Sequence, residues 1–273
     1  MHRAPSTGCA RGPVQVGLRR VENQRLHCPH AALLSPPPEL SSRPAASARR
    51  RPGRWRCAAT GLVLALAGLG WSGATLQAWD HDRMLAQAQK IGPGAVAGVR
   101  ALQPVLAAAL GLDDVGKLVA VNDFFNRRIV FREDIDVWGE PDYWASPLET
   151  LNQGQGDCED YAIAKYFGLL ALGMPTTRLR LVYVRAEFGG PGGTQMPHMV
   201  LAYYAAPGAE PMILDNLIGE LRTASRRPDL TPVFSFNSDG LWQGTAGPSA
   251  GDPVARLSRW RGVLAKARTE GFQ

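Results

Sequence analysis

Hydrophobic and polar positions follow a helical rhythm in the first part of this chain and a strand rhythm in the second. Asp80 to Lys90 reads as a short helix, stopped at Gly92-Pro93-Gly94. Ala95 to Leu110 is rich in Ala, Leu and Val at helical spacing, with Pro104 expected to kink it or divide it in two. Asp113-Asp114 can cap a third helix running to about Arg128, on which Val121, Phe124 and Phe125 are spaced as core. Residues 133–148 read as a loop carrying two Trp, one Tyr and five acids. Loops that order so many aromatics usually line something. A fourth helix is expected from near Asp157 to about Leu172, ended by Gly173-Met174-Pro175.

Beyond that point the period shifts to two. Arg178 to Arg185 alternates strictly, as a half-buried strand should, and His198–Tyr204 and Pro211–Leu214 read as further strands around an Ala206-Pro207-Gly208 turn. Phe234 and Phe236 suit one more strand, and Pro253 to Arg268 an amphipathic helix. Helices first and antiparallel strands afterwards predict an α+β domain over residues 79–273, with N-terminal helices packed on the sheet around one core.

Composition alters this picture only once it is divided along the chain. Read whole, 273 residues with a formal charge of +6 and 45% hydrophobic content exclude a disordered chain and invite a nucleic-acid partner. Residues 1–56, however, hold 11 Arg against two acids, 57–78 carry no charge, and the rest carries 19 Lys+Arg against 22 Asp+Glu. The basicity therefore belongs to the leader, and no nucleic-acid partner is expected. Residues 49–78 combine an Arg-rich run, an apolar stretch from Ala58 to Trp71 and small residues suited to cleavage near Ala74 or Ala78. This predicts a signal peptide and a periplasmic body, with an uncleaved inner-membrane anchor as the alternative, since the apolar stretch is shorter than the roughly 20 residues that span a bilayer. Residues 1–48 are rich in Pro, Ser and Arg and are expected to be disordered, or to precede the true translation start.

Of four cysteines only Cys158 lies in the body, so no internal disulfide can form there. It opens the fourth helix in Gly156-Asp157-Cys158-Glu159-Asp160-Tyr161, where the helix dipole favours a thiolate. A buried structural Cys is the alternative. Asp157, Glu159 and Asp160 crowd the thiol and oppose its ionisation, a conflict that a bound cation would remove. Carboxylate oxygens suit Ca²⁺, with Asp134 and Asp136 as further donors, whereas helix capping is the simpler role for the flanking acids. Of the two body histidines, His81 is expected to be solvated. His198 is then the candidate base, and Asp215 its orienting partner, although a core histidine and a strand-end turn would account for them equally. Zinc on Cys158, His198 and Asp215 fits less well, because the body has no C-x-x-C or H-x-x-x-H element.

Several motifs together resemble one family: Val121-Asn122 with Phe124-Phe125, Val137-Trp138-Gly139, Asp142-Tyr143-Trp144-Ala145, the element around Cys158, His198-Met199-Val200 and Leu214-Asp215-Asn216. They are similar to the bacterial transglutaminase-like cysteine proteinases, relatives of papain-type proteases, and within them to the LapG-type periplasmic adhesin proteases. The resemblance implies Cys158 as nucleophile, His198 as general base and acid, and Asp215 as its partner. It further implies calcium held by Asp157 and Glu159, with Asp160, Asp134 and Asp136 less securely placed. The implied substrate is the N-terminal region of a large LapA-like surface adhesin, cut at a di-alanine-containing site to disperse a biofilm. The implied regulator is a LapD-like inner-membrane receptor for cyclic di-GMP. For the implied acyl transfer, the Cys158 N–H and either Trp138 or Asn152 are the oxyanion-donor candidates. The Gly189–Gly193 stretch is expected to lengthen a loop near the site. A transglutaminase or amidase on the same triad, and a non-catalytic binding module, are the competing readings.

Overall fold

A computed structural model describes residues 79–272, so the expected signal peptide and the segment before it lie outside the described residues. Helix α1 (His81–Ile91) starts where Asp80 caps it, its Oδ1 accepting from the Arg83 N–H at 2.9 Å. Gly92 ends α1 and opens α2 (Pro93–Ala109) without a loop, so the predicted break is a corner. Pro104 does not divide α2. It lies on the exposed side, where water can take the carbonyl it leaves unpaired, while Leu102 and Leu106 hold the opposite face in the core. Helix α3 (Asp114–Arg128) is capped by Asp113 and buries Val121 and Phe125. Phe124, expected in the core, is only half-buried, packed edge-on against Phe125.

The aromatic segment is more ordered than its sequence suggests. β1 (Val130–Phe131) precedes a single helical turn, α4 (Asp134–Val137), and α5 (Pro147–Gln153) begins inside the expected loop. Ser146 and Glu149 form a reciprocal cap at the start of α5. Helix α5 packs on α2 at very close range: a side chain at Gly94 would stand 2.2 Å from the Asn152 carbonyl oxygen. β2 (Gln155–Gly156) pairs with β1 in parallel and leads into α6 (Cys158–Ala171).

The second half is one antiparallel sheet in the order β6-β5-β4-β3-β7-β8. Its strands are β3 (Leu179–Phe188), β4 (Thr194–Tyr203), β5 (Met212–Leu214), β6 (Arg222–Thr223), β7 (Leu230–Phe236) and β8 (Leu241–Gln243). β3 is not half-buried as its alternation predicts. Leu179 and Leu181 join the main core, while Val182 and Val184 form a second cluster with Val200, Ala202 and Ile213. β4 begins four residues earlier than expected, so His198 sits in mid-strand opposite Val184. Gly189–Gly193 turns the β3–β4 hairpin, closed by the Phe188–Thr194 pair. At about 3.3 Å per residue it lies roughly 13 Å from His198 and does not extend a loop beside the site. The C-terminal helix is two elements, α7 (Pro253–Arg256) and α8 (Ser258–Thr269), separated by Leu257 in extended conformation with its side chain buried. Trp260 of α8 fills the centre of the core against Tyr166, Phe167 and Phe236. Among the described residues no helix is long and apolar enough to cross a membrane.

Candidate active site and metal cluster

Cys158 is the first residue of α6 and is buried, and α6 packs on β4, the strand that carries His198. β5 lies beside β4 and delivers Asp215 just past its end. His198 Nε2 meets Asp215 Oδ1 at 2.8 Å, with both side chains almost fully buried. Asp215 Oδ1 also accepts from the Leu217 N–H, and Oδ2 accepts from Arg227 at 2.7 Å. Burial alone would raise the Asp215 pKa, but the hydrogen bond and charge of His198, joined by the Arg227 guanidinium, outweigh it and hold the carboxyl well below its usual range. From α3, Asn126 donates to the Asp215 carbonyl and Asn122 to that of Gly219, which gives the Val121-Asn122 motif a role in pinning this turn.

Arg227 escaped the sequence reading. Its nearby partner Asp229 gives it a local explanation, and nothing in the sequence points to Asp215, which it also bridges. Lys165 is the second residue missed. It stands two turns along α6 from Cys158, fully buried, its Nζ 5.6 Å over the Tyr161 ring and without a hydrogen-bond partner. Burial pulls its pKa down to about 7, against the charge of Asp215. One Lys inside the apolar run AIAKYFGLL was the available signal.

Around the thiol the acids assemble differently. Asp134, Asp157 and Asp160 can bring carboxylate oxygens within 4.8 Å of one another, as can Asp134, Asp142 and Glu159. Asp134 is common to both groups. Asp157 occupies the N-cap position yet makes no side-chain capping bond, so capping does not account for it. Asp160 accepts from the Ala145 N–H at 2.9 Å, and a side chain at Gly156 would stand 2.5 Å from its Oδ2. Glu159 Oε2 lies 2.8 Å from Cys158 Sγ and accepts the thiol's hydrogen bond. Asp136 is exposed and belongs to neither group, because it points off α4 on the side away from Asp134, and Asp142 takes the place expected for it. Asn152 lies elsewhere: its Oδ1 accepts from the Ala95 N–H at the start of α2, and its whole amide stands against Gly92. Trp138 packs against Tyr143, with its Nε1 buried and unbonded.

Electrostatics give this cluster the opposite character to the triad. Burial, then Glu159 and Asp142, push Asp134 up to about 7 despite the hydrogen bond from the Tyr143 N–H. Burial and Asp134 raise Asp160 well above the usual carboxylate range, and burial and Glu159 raise Asp142. Asp134 Oδ1, Asp142 Oδ1 and Asp160 Oδ2 are buried and accept no hydrogen bond. Several carboxylates converging with orphaned oxygens are the donor set of a hard divalent cation.

A family model described as bacterial transglutaminase-like cysteine proteinase BTLCP matches residues 101–228. Among solved structures, EGTA-treated LapG from Legionella pneumophila is 34% identical with a TM-score of 0.60, over 69% of this chain and 97% of that one. Calcium-bound LapG from the same organism is 34% identical with a TM-score of 0.59, over 68% and 98%. No curated protein matches the chain.

Proposed function

The chain belongs to the bacterial transglutaminase-like cysteine proteinases and is a LapG-type cysteine protease; from that premise we propose that it is a calcium-dependent periplasmic endopeptidase acting on a large surface adhesin. Its cut falls at a di-alanine-containing site in the adhesin's N-terminal region, releasing the adhesin and dispersing the biofilm. A cyclic di-GMP receptor of the inner membrane is its regulator. The export signals in residues 49–78 support the location. The buried His198–Asp215 pair, set on strands beside the helix that Cys158 opens, is the observation that carries the chemistry.

Because Nε2 of His198 faces Asp215, Nδ1 is the ring nitrogen that serves the thiol. His198 takes the Cys158 proton, and the thiolate adds to the scissile carbonyl. The oxyanion is met by the N–H at the α6 start and by Trp138 Nε1, a buried donor with no acceptor of its own. His198 then protonates the leaving amine, and water hydrolyses the thioester. Asp134 would hold the calcium, either with Asp142 and Glu159 or with Asp157 and Asp160. Held there, a divalent cation would supply positive charge to offset the acids around Cys158, and Glu159, which accepts the thiol's hydrogen bond, would be one of its ligands.

The test is incubation of the purified protein with recombinant adhesin N-terminal fragments, with calcium or with chelator. Cleavage at a di-alanine site is expected with calcium, and none with chelator or with Cys158→Ala. Undiminished cleavage by Cys158→Ala would remove the catalytic assignment, and undiminished cleavage in chelator would remove the calcium requirement.

A further inference from the structure

The C-terminal helix meets the acid cluster at two points on one face. Arg259 and Lys266 of α8 are seven residues, or two turns, apart and reach the neighbouring residues Asp142 and Tyr143. Arg259 grips Asp142 twice, through its carbonyl oxygen at 3.1 Å and its Oδ2 at 3.1 Å. That leaves Asp142 Oδ1 buried and unbonded, on a residue whose carboxylate can approach those of Asp134 and Glu159. Lys266 donates to the Tyr143 hydroxyl at 2.6 Å, and the Tyr143 N–H donates to Asp134 Oδ2 at 2.5 Å. All of α8 lies beyond residue 228, outside the span of the family model.

We infer that Arg259 is a positioning residue for the calcium site: by fixing Asp142 through its backbone and one carboxylate oxygen, it presents the other oxygen to the ion, so the C-terminal helix sets calcium affinity. The inference rests on the calcium reading above. Two effects oppose each other here. The guanidinium charge repels a dication, while its two-point grip removes the cost of ordering Asp142. Arg259 is about half exposed, with its side chain at 48%, so water screens the repulsion and the positioning dominates.

Calorimetric titration of calcium into the metal-stripped protein separates the two. Arg259→Ala and Arg259→Lys should both bind about tenfold more weakly, since Lys keeps the charge and loses the planar grip. Tighter or equal binding by Arg259→Ala would overturn the inference. A double-mutant cycle with Asp142→Asn keeps the result independent of any general loss of stability. If Arg259 acts through Asp142, the Asn substitution costs much less affinity in the Arg259→Ala background than in the parent, whereas independent, multiplying losses would overturn it. A parent protein that takes up no calcium at all would remove the calcium reading itself.

Discussion

Two groups of ionisable residues make up the candidate site, and they are built on opposite principles. On the sheet side, Asp215 meets His198, Arg227 and a backbone N–H, so each of its oxygens is satisfied and its pKa falls despite burial. On the loop side, Asp134 and Asp160 are buried and Asp142 is half-buried, each with a buried oxygen that accepts no hydrogen bond, and their pKa values rise. An Asp at the end of β5 and an Asp on α4 thus differ in environment and not in kind. The first cluster is completed by the chain itself, and the second has the unpaired carboxylate oxygens that the proposed calcium would complete.

If the first cluster exists to hold an imidazolium, neutralising its acid should cost far more in rate than in structure. Asp215→Asn keeps the shape and permits the wrong imidazole tautomer, so kcat should fall about 10³- to 10⁴-fold. Cleavage kinetics on a peptide substrate check this. A loss of less than tenfold would reduce Asp215 to a structural anchor for Arg227.

The sharpest contrast lies in stability without metal. Arg227→Met leaves a buried carboxylate short of its cation and should cost about 3–5 kcal/mol. Asp134→Asn does the reverse: it removes one of several like charges, and should stabilise the chelated protein by roughly 1–3 kcal/mol while weakening calcium binding. Urea unfolding of both variants in chelator decides the matter. Loss of stability in both would mean that the loop acids are already satisfied and that no cation is needed to complete them.

How much of this the sequence disclosed follows the range of the interactions. The ends of α1, α3 and α6 were legible because caps and breakers act within a few residues, as at Asp80, Asp113 and Gly173. Cys158, His198 and Asp215 were legible because the body offers so few candidates for each role. α5 was missed because its capping box, Ser146 with Glu149, follows directly on the aromatic segment and straddles the expected end of the loop. Pairings such as Arg227 with Asp215, or Arg259 with Asp142, depend on tertiary folding alone. Asp136 was expected beside Asp134 as a further oxygen donor, whereas on the single turn of α4 it is exposed and Asp142 approaches Asp134 instead.

Glu270 stands between the two clusters and measures what hydrogen bonds achieve without a countercharge in contact. It caps α5 from the far end of the chain, accepting from Ser146 Oγ and from the Leu148 N–H at 3.1 Å. Burial nevertheless prevails, raising its pKa from 4.5 to about 7, with the two hydrogen bonds only moderating the rise. The folded protein therefore holds a proton between about pH 4.5 and 7 that the unfolded chain has released. Stability from this group is fully present below pH 4.5 and is lost as pH rises through 7, by up to roughly 3 kcal/mol. Glu270→Gln cannot ionise, so its unfolding free energy should lack that decline, and the variant should match or exceed the parent at pH 8 while trailing it at pH 4.5. Urea titrations across this range test the point, and parallel pH profiles for the two proteins would show that two donors suffice to hold a buried carboxylate without a cation.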